Sequence, residues 1–140
     1  MEAARIIDEL GMSPHPEGGH YVEVWRGPSG ADGRSVATTI YFLLRRGERS
    51  HWHRVDAEEV WLYHAGDPLE LCTVHAAGIE TVRLGADVVG GERPQAVVPH
   101  GVWQAAESTG AWTLVSCVVA PGFRFEGFEL APPDWTPPAE

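Results

Sequence analysis

The apolar positions of the chain change their period once. In residues 2–10, Ala3, Ile6, Ile7 and Leu10 recur at helical spacing and Gly11 follows as a C-cap, which predicts one short helix. Ser13-Pro-His-Pro-Glu-Gly-Gly19 cannot continue it. From His20 the period becomes two. Tyr21 and Glu23 oppose Val22 and Val24, so His20–Arg26 reads as a strand. Residues 27–33 form a turn-rich connection, and 36–44 a longer run rich in β-branched and aromatic residues. Further short strands are predicted at 50–54, 59–64, 69–75, 79–84, 95–98, 102–107 and 112–120, with a last one within 123–130. Turn signals such as Arg46-Gly47, Ala65-Gly-Asp-Pro68, Gly90-Gly91 and Pro99-His-Gly101 separate them. The intervals are too short for crossover helices, so the pattern predicts an all-β barrel or sandwich and not a parallel α/β sheet.

The 140 residues amount to one domain, long enough to bury a core without disulfide or metal staples. Residues 1–130 are assigned to it. The segment 131–140, Ala-Pro-Pro-Asp-Trp-Thr-Pro-Pro-Ala-Glu, is a Pro-rich tail expected to be extended or frayed. The hydrophobic share of 44% excludes disorder of the bulk.

Charge narrows the function. Ten Lys plus Arg stand against twenty Asp plus Glu, a net charge of −10. No nucleic acid and no anionic membrane is the expected partner of such a chain. All ten basic residues are Arg, which excludes Schiff-base lysines and a P-loop. GxGxxG, Walker, GxSxG and HExxH motifs are all absent, so no nucleotide cofactor is expected. An acidic N-terminus without a following apolar run makes the cytoplasm the expected compartment. Cys72 and Cys117 sit in strand-like apolar runs and read as reduced, packed thiols.

Candidate chemistry concentrates in Ser50-His-Trp-His-Arg-Val-Asp-Ala-Glu-Glu-Val-Trp61. Strand residues two apart share a face, so His51 and His53 would reach one metal together. Glu58 or Glu59 would add a carboxylate. Glu59 is favoured, because Trp61 and Tyr63 share its face and give it the polar and aromatic mix of a ligand pocket. His53 is equally placed to be a metal-free base. Gln104 follows the turn at Pro99-His-Gly101 and could accept hydrogen bonds or ligate weakly through its oxygen; His100 at the turn tip is expected in solvent. Glu17, between Pro16 and Gly18-Gly19, sits in a constrained backbone. Arg26 and Arg54 are candidates for an anionic ligand, though each has many acids to pair with. His15, His20, His64 and His75 have no partner motif.

Gly47, His51, His53, Glu59 and Gly66, with Pro99, Gly101 and Gln104, resemble the two motifs of the cupin superfamily, Gln104 standing where a third His belongs. More closely, the chain is similar to domain-of-unknown-function family 985, the cupin-5 group. The carriers are Pro14-His-Pro-Glu-Gly-Gly19, Thr39-Ile-Tyr-Phe-Leu-Leu44, Ser50-x-Trp-His-Arg54, Glu58-Glu-Val-Trp61, Ala65-Gly-Asp-Pro-Leu-Glu-Leu71, Gln95-x-Val-Val-Pro99, Trp103, Val119-Ala-Pro-Gly-Phe123 and Phe128-Glu-Leu-Ala131. The resemblance implies a double-stranded β-helix (jelly-roll) barrel, usually a homodimer.

From these readings a small-molecule pocket is expected, lined by His51, His53, Glu59, Tyr63 and Gln104 with Glu17 at its rim. The expected function is an isomerase, epimerase or lyase on a small polar metabolite, sugar-like or carbonyl-bearing. His53 would be the acid or base, Glu59 its partner, and Tyr41 or Tyr63 would stabilise the enolate. Trp52, Trp61 and Trp103 are expected ligand contacts. One divalent metal ion, held by His51, His53, Glu59 and Gln104, is the cofactor the pattern admits. Two alternatives accompany this reading: a binding module without turnover, and a metal-dependent dioxygenase.

Overall fold

A computed structural model describes residues 2–138. Helix α1 (Glu2–Leu10) is followed by strands β1 (Ser13–Pro14), β2 (His20–Arg26), β3 (Thr38–Arg45), β4 (Arg49–Val55), β5 (Glu58–Gly66), β6 (Leu69–His75) and β7 (Gly78–Leu84). Then come β8 (Gln95–Val98), β9 (Gln104–Ser108), β10 (Trp112–Ala120), a single 3-10 turn (Phe125–Gly127) and β11 (Phe128–Leu130). The strands form two antiparallel sheets, ordered β1-β2-β3-β10-β5-β8 and β11-β4-β9-β6-β7. Packed face to face, they make the double-stranded β-helix. No helix of the described residues is long and apolar enough to cross a membrane.

Alternation along each strand decides what lies between the sheets. On β10, Thr113, Val115, Cys117 and Val119 point inward, opposite Phe42 and Leu44 of β3 and Trp61 of β5. At one end Leu44, Leu69, Leu71, Leu84 and Val115 fill the barrel completely. The other end is lined by Thr38, Ile40, Val55 and Val119 and stays open. Outside the first sheet, α1 lays Ala3, Ile6, Ile7 and Leu10 over Leu43, Val22 and Tyr41, which explains a helix too short to stand alone.

The predicted strands 69–75, 95–98 and 112–120 coincide with β6, β8 and β10. The expected run 123–130 is a strand only over its last three residues. Its first part is a turn whose Phe123 and Phe125 cover the open end of the barrel. The tail does not fray over its described part. Ala131 N–H donates to the Trp52 carbonyl at 2.9 Å, and Trp135 stacks on Trp103 at 4.8 Å. Residues 1, 139 and 140, at the ends of the assigned domain and tail, lie outside the described residues.

Candidate functional site

The open end of the barrel holds a cavity of about 270 Å³. Its floor is polar and its walls are mostly apolar. Glu17 enters from a tight turn in which Gly18 N–H donates to the His15 carbonyl and His15 N–H to the Gly19 carbonyl. Gly18 and Gly19 hold positive φ there, at 116° and 76°. A Cβ on Gly18 would collide with the Arg49 carbonyl, so the turn can lie against β4 only with glycine at this position. The Glu17 carbonyl in turn accepts from His51 N–H at 2.8 Å. These bonds place the Glu17 carboxyl at the cavity floor, its side chain only 9% exposed, and not at the rim as expected.

His53 comes from β4. The ladder between β4 and β9 pairs Ser50 with Ala106 but His53 with Gln104, so β4 carries one extra residue. This bulge turns Ser50 and His53 to the same side, and both are fully buried. It also removes His51 from the site. His51 Nε2 instead meets the Pro132 carbonyl at 2.8 Å on the outside. The expected sharing of one face by His51 and His53 therefore fails, because the bulge breaks the two-residue period between them.

Four polar side chains meet on the floor. Glu17 Oε1 lies 3.4 Å from His53 Nε2 and 3.5 Å from His15 Nδ1, and Glu17 Oε2 accepts from the Ser50 hydroxyl. His53 Nδ1 faces the His51 carbonyl at 2.7 Å. A carbonyl only accepts, so Nδ1 carries the hydrogen and Nε2 presents its lone pair to Glu17. His15 Nδ1 accepts the Glu17 backbone N–H at 3.1 Å, which puts its hydrogen on Nε2.

Burial sets the protonation states. It pushes Glu17 up to about 8, against the lowering effect of the Ser50 bond, so the carboxyl is protonated at neutral pH. Burial lowers His15 to about 4, with nearby His53 acting in the same direction. His53 is also lowered by burial, opposed by Glu59 and by the His51 carbonyl. Glu59 is raised by burial, opposed by His53. The Cys117 thiol, also buried, is pushed up as well. Glu17 is thus a neutral acid between two neutral imidazoles.

Glu59 faces inward, 7% exposed, and Glu58 faces outward, where it accepts from His100 N–H. Gln104 is buried behind Glu59 and donates to its Oε1 at 2.9 Å, while the Gln104 oxygen accepts from Trp61 Nε1. Trp61 is therefore a core residue supporting the site and not a cavity wall. Tyr63 bonds its hydroxyl to the Gly66 carbonyl, away from the cavity. Tyr41 lies on the outer face of β3, packed with α1 and beside His64. Trp52 and Trp103 pack outside the second sheet, under Trp135. None of these four reaches the cavity, because each lies on the outer face of its sheet or, for Tyr63, at the closed end.

The expected metal set does not survive this geometry. His51 points out, and the Gln104 oxygen is taken by the Trp61 indole. Among the described residues no group of three or more His, Cys, Asp or Glu side chains is placed to hold a metal ion. The donors do not fit a cupin-type metal.

The sequence missed His15 and Cys117 on the floor, Tyr21, Phe123 and Phe125 on the walls, and Arg124 at the mouth, as well as Ser50 buried behind Glu17. His15 carried one signal, its place two residues before Glu17 in a Pro- and Gly-punctuated turn. The remaining contacts cross between strands far apart in the chain.

Comparison with known proteins agrees with this architecture. The family model Cupin_5, cupin superfamily (DUF985), matches residues 4–131. A crystallographically solved protein from Shewanella oneidensis is 41% identical, covering 92% of this chain and 84% of its own, with a TM-score of 0.87. A hypothetical protein from Leishmania major is 37% identical over 91% and 85% of the two chains, with a TM-score of 0.83. An uncharacterised protein of Saccharomyces cerevisiae is 27% identical over 87% of this chain and 71% of its own.

Proposed function

The chain belongs to the Cupin_5 family of the cupin superfamily (DUF985), and we propose that it is a metal-independent enzyme of proton transfer, an isomerase, epimerase or lyase acting on a small carbonyl metabolite. The observation that carries this reading is the Glu17–His53 pair, 3.4 Å apart at the floor of a cavity of ligand size. A neutral carboxylic acid beside a neutral imidazole with its lone pair directed inward is an acid and a base in one place.

In this reading His53 Nε2 removes a proton from the carbon next to the substrate carbonyl. The C–H electron pair becomes the double bond of the enol, and Glu17 delivers its proton to the carbonyl oxygen. A Glu17 carboxylate beside a His53 imidazolium remains, with the net charge unchanged. Return of a proton to that carbon from water on the opposite face, with the enol O–H proton passing back to Glu17, epimerises it. Where the carbon bears a hydroxyl, the enediol instead takes the proton at the former carbonyl carbon while that hydroxyl gives its own to Glu17, which isomerises the substrate. Loss of a group from the β-carbon with its bonding pair, protonated by the His53 imidazolium as the enol O–H returns its proton to Glu17, makes the reaction a lyase step. Glu59, held by Gln104, keeps the His53 ring side of the floor polar. The homodimer implied by the family resemblance belongs to the same proposal. Half-exposed Trp25 and Val36, close together at Gly27, are the apolar surface it would use.

The test is incubation in D2O with a panel of small ketones, aldehydes and oxo acids, read by loss of the α-proton signal in NMR. Exchange faster than in buffer is expected for at least one compound. His53→Ala and Glu17→Gln are each expected to slow it by at least about 100-fold. Exchange unaffected by both variants refutes the assignment. The mostly apolar wall favours a second reading, a binding module, which bound ligand without any exchange would establish.

A further inference from the structure

The cavity changes its chemistry from floor to mouth, and the order of its zones describes a ligand. Glu17, His53 and Glu59 form the buried polar floor. Above them Tyr21, Phe42, Phe123 and Phe125 present rings, with Ile40 and Val119 between them. Phe125 sits edge-on to Phe123 at 4.9 Å and to Phe128 at 6.2 Å, so these rings form one continuous apolar flank. Hydroxyls against such a wall would lose water without gaining a partner.

The mouth is cationic, although the chain carries −10 overall. Arg26 and Arg124 line it, their side chains 47% and 49% exposed. Arg26 is committed. Its Nε and Nη2 donate to both oxygens of Glu23, and its Nη1 to the Phe123 carbonyl. Arg124 is not. Its single side-chain bond among the described residues is Nη2 to Asp56 Oδ2 at 3.1 Å. Asp56 already accepts both Nη groups of Arg34 at 2.7 and 3.2 Å. Three guanidiniums at this end thus face two carboxylates, and Arg124 is the one left with donors to give. Glu126, the next acid along, lines a neighbouring depression instead.

We propose that the cavity binds a small oxo carboxylate whose two polar ends are separated by an apolar or aromatic span. The carboxylate meets the planar fork of Arg124, the span lies between the phenylalanine rings, and the carbonyl reaches Glu17 and His53. This rests on the proton-transfer reading for the carbonyl end only. It narrows the substrate class away from sugars.

The probe is 4-acetylbenzoate, compared with its methyl ester, with 4-ethylbenzoate and with galacturonate by isothermal titration calorimetry at neutral pH. 4-Acetylbenzoate is expected to bind at least tenfold tighter than the ester, which lacks the charge, and than galacturonate, which lacks the apolar span. It is also expected to bind tighter than 4-ethylbenzoate, which lacks the carbonyl. Arg124→Gln should erase the acid-over-ester preference and leave ester affinity within about twofold; Arg124→Lys should restore part of it. Ester and acid binding equally, an unchanged preference in Arg124→Gln, tighter galacturonate, or no binding of any aromatic probe each overturns the proposal. Deuterium uptake at the acetyl methyl separates the two readings. Binding as expected without uptake refutes proton transfer and leaves the ligand class standing. Uptake without acid preference does the reverse.

Discussion

The indole Nε1 of Trp61 donates to Oε1 of Gln104 at 2.9 Å, across the barrel core. An indole N–H can only donate, so the bond fixes which end of the Gln104 amide is which. The amide nitrogen must then face Glu59, where it donates at 2.9 Å. A residue that could have offered a metal its carbonyl oxygen instead presents N–H groups to a carboxyl. The same relay satisfies three buried polar groups that would each be costly alone.

Metal content follows from this relay. Protein purified untagged and without chelator is expected to carry far less than one equivalent of any transition metal by elemental mass spectrometry. Added manganese, iron or zinc should leave its thermal midpoint unchanged. Near-stoichiometric metal that disappears in His53→Ala would show that the Trp61–Gln104 bond gives way in solution and would overturn the prediction.

How much of this was legible before the fold was known depends on distance along the chain. The helix, the strand series and the inward Glu59 are local, since each follows from a period of 3.6 or 2 in a few neighbouring residues. His53 was legible for the same reason. His51 was misplaced because a bulge is an interruption of the period, and only the partner strand, with Ala106 and Gln104, reveals it. Tyr41 and Tyr63 show a second limit. Periodicity says which residues share a face but not which end of the barrel is open. Arg124 and Phe125 were out of reach because their neighbours Arg34, Asp56 and Tyr21 lie some 70 to 100 residues earlier.

Stability should fall from pH 6.5 to 8, and Glu17 is the largest single reason. Its folded pKa of about 8 lies above its ordinary value, so the folded state holds a proton the unfolded chain releases. Stability therefore drops as pH rises from about 4.5 to 8. His15, lowered to about 4, acts oppositely: the unfolded chain binds its proton first, and stability rises with pH up to about 6.5. His53, also lowered, joins His15, and raised Glu59 joins Glu17. The two groups oppose each other in acid, and only the carboxyls act above 6.5. Over that last interval Glu17 alone is worth about 2 kcal/mol, at about 1.4 kcal/mol per pH unit. Urea midpoints are expected to decline from pH 6.5 to 8 in the wild type and to decline less than half as much in Glu17→Gln. Parallel pH profiles would show that Glu17 is ionised when folded.

Gly18 should be the least replaceable position outside the core. Its φ of 116° is already strained for any side chain, and a Cβ would press directly on the Arg49 backbone oxygen. Backbone cannot rotate away as a flexible side chain can. Gly18→Ala is expected to cost more than about 3 kcal/mol in chemical denaturation. It should also abolish any exchange activity at temperatures where the variant is folded, because the displaced turn carries Glu17. Gly33→Ala is the control: it shares a positive φ of 84° but meets nothing within 4 Å, so only the conformational cost of about 1 kcal/mol is expected. Equal losses in the two variants would refute the close-approach argument.

Trp135 should act on the cavity without touching it. Its ring lies 4.8 Å from Trp103 and 6.2 Å from Trp52, which anchors the tail outside the second sheet. The tail continues directly from β11, and β11 from the turn that carries Phe125 over the cavity. Between them, the Ala131 N–H bond to the Trp52 carbonyl and the His51 contact with the Pro132 carbonyl hold the junction to β4. Removing the anchor leaves these bonds to hold the strap alone. Trp135→Ala is expected to cost about 2 kcal/mol, less than a fully buried tryptophan because this one is partly exposed. Hydrogen exchange should rise selectively at Ala131 and along β11, while β10 amides keep their protection relative to the new global stability. Ligand affinity in the cavity should fall with it, as the Phe125 flank loosens, and Trp135→Phe should recover most of both effects by keeping a ring on Trp103. Unchanged exchange at Ala131 would show that β11 pairing alone secures the flank and that the tail is not part of the site.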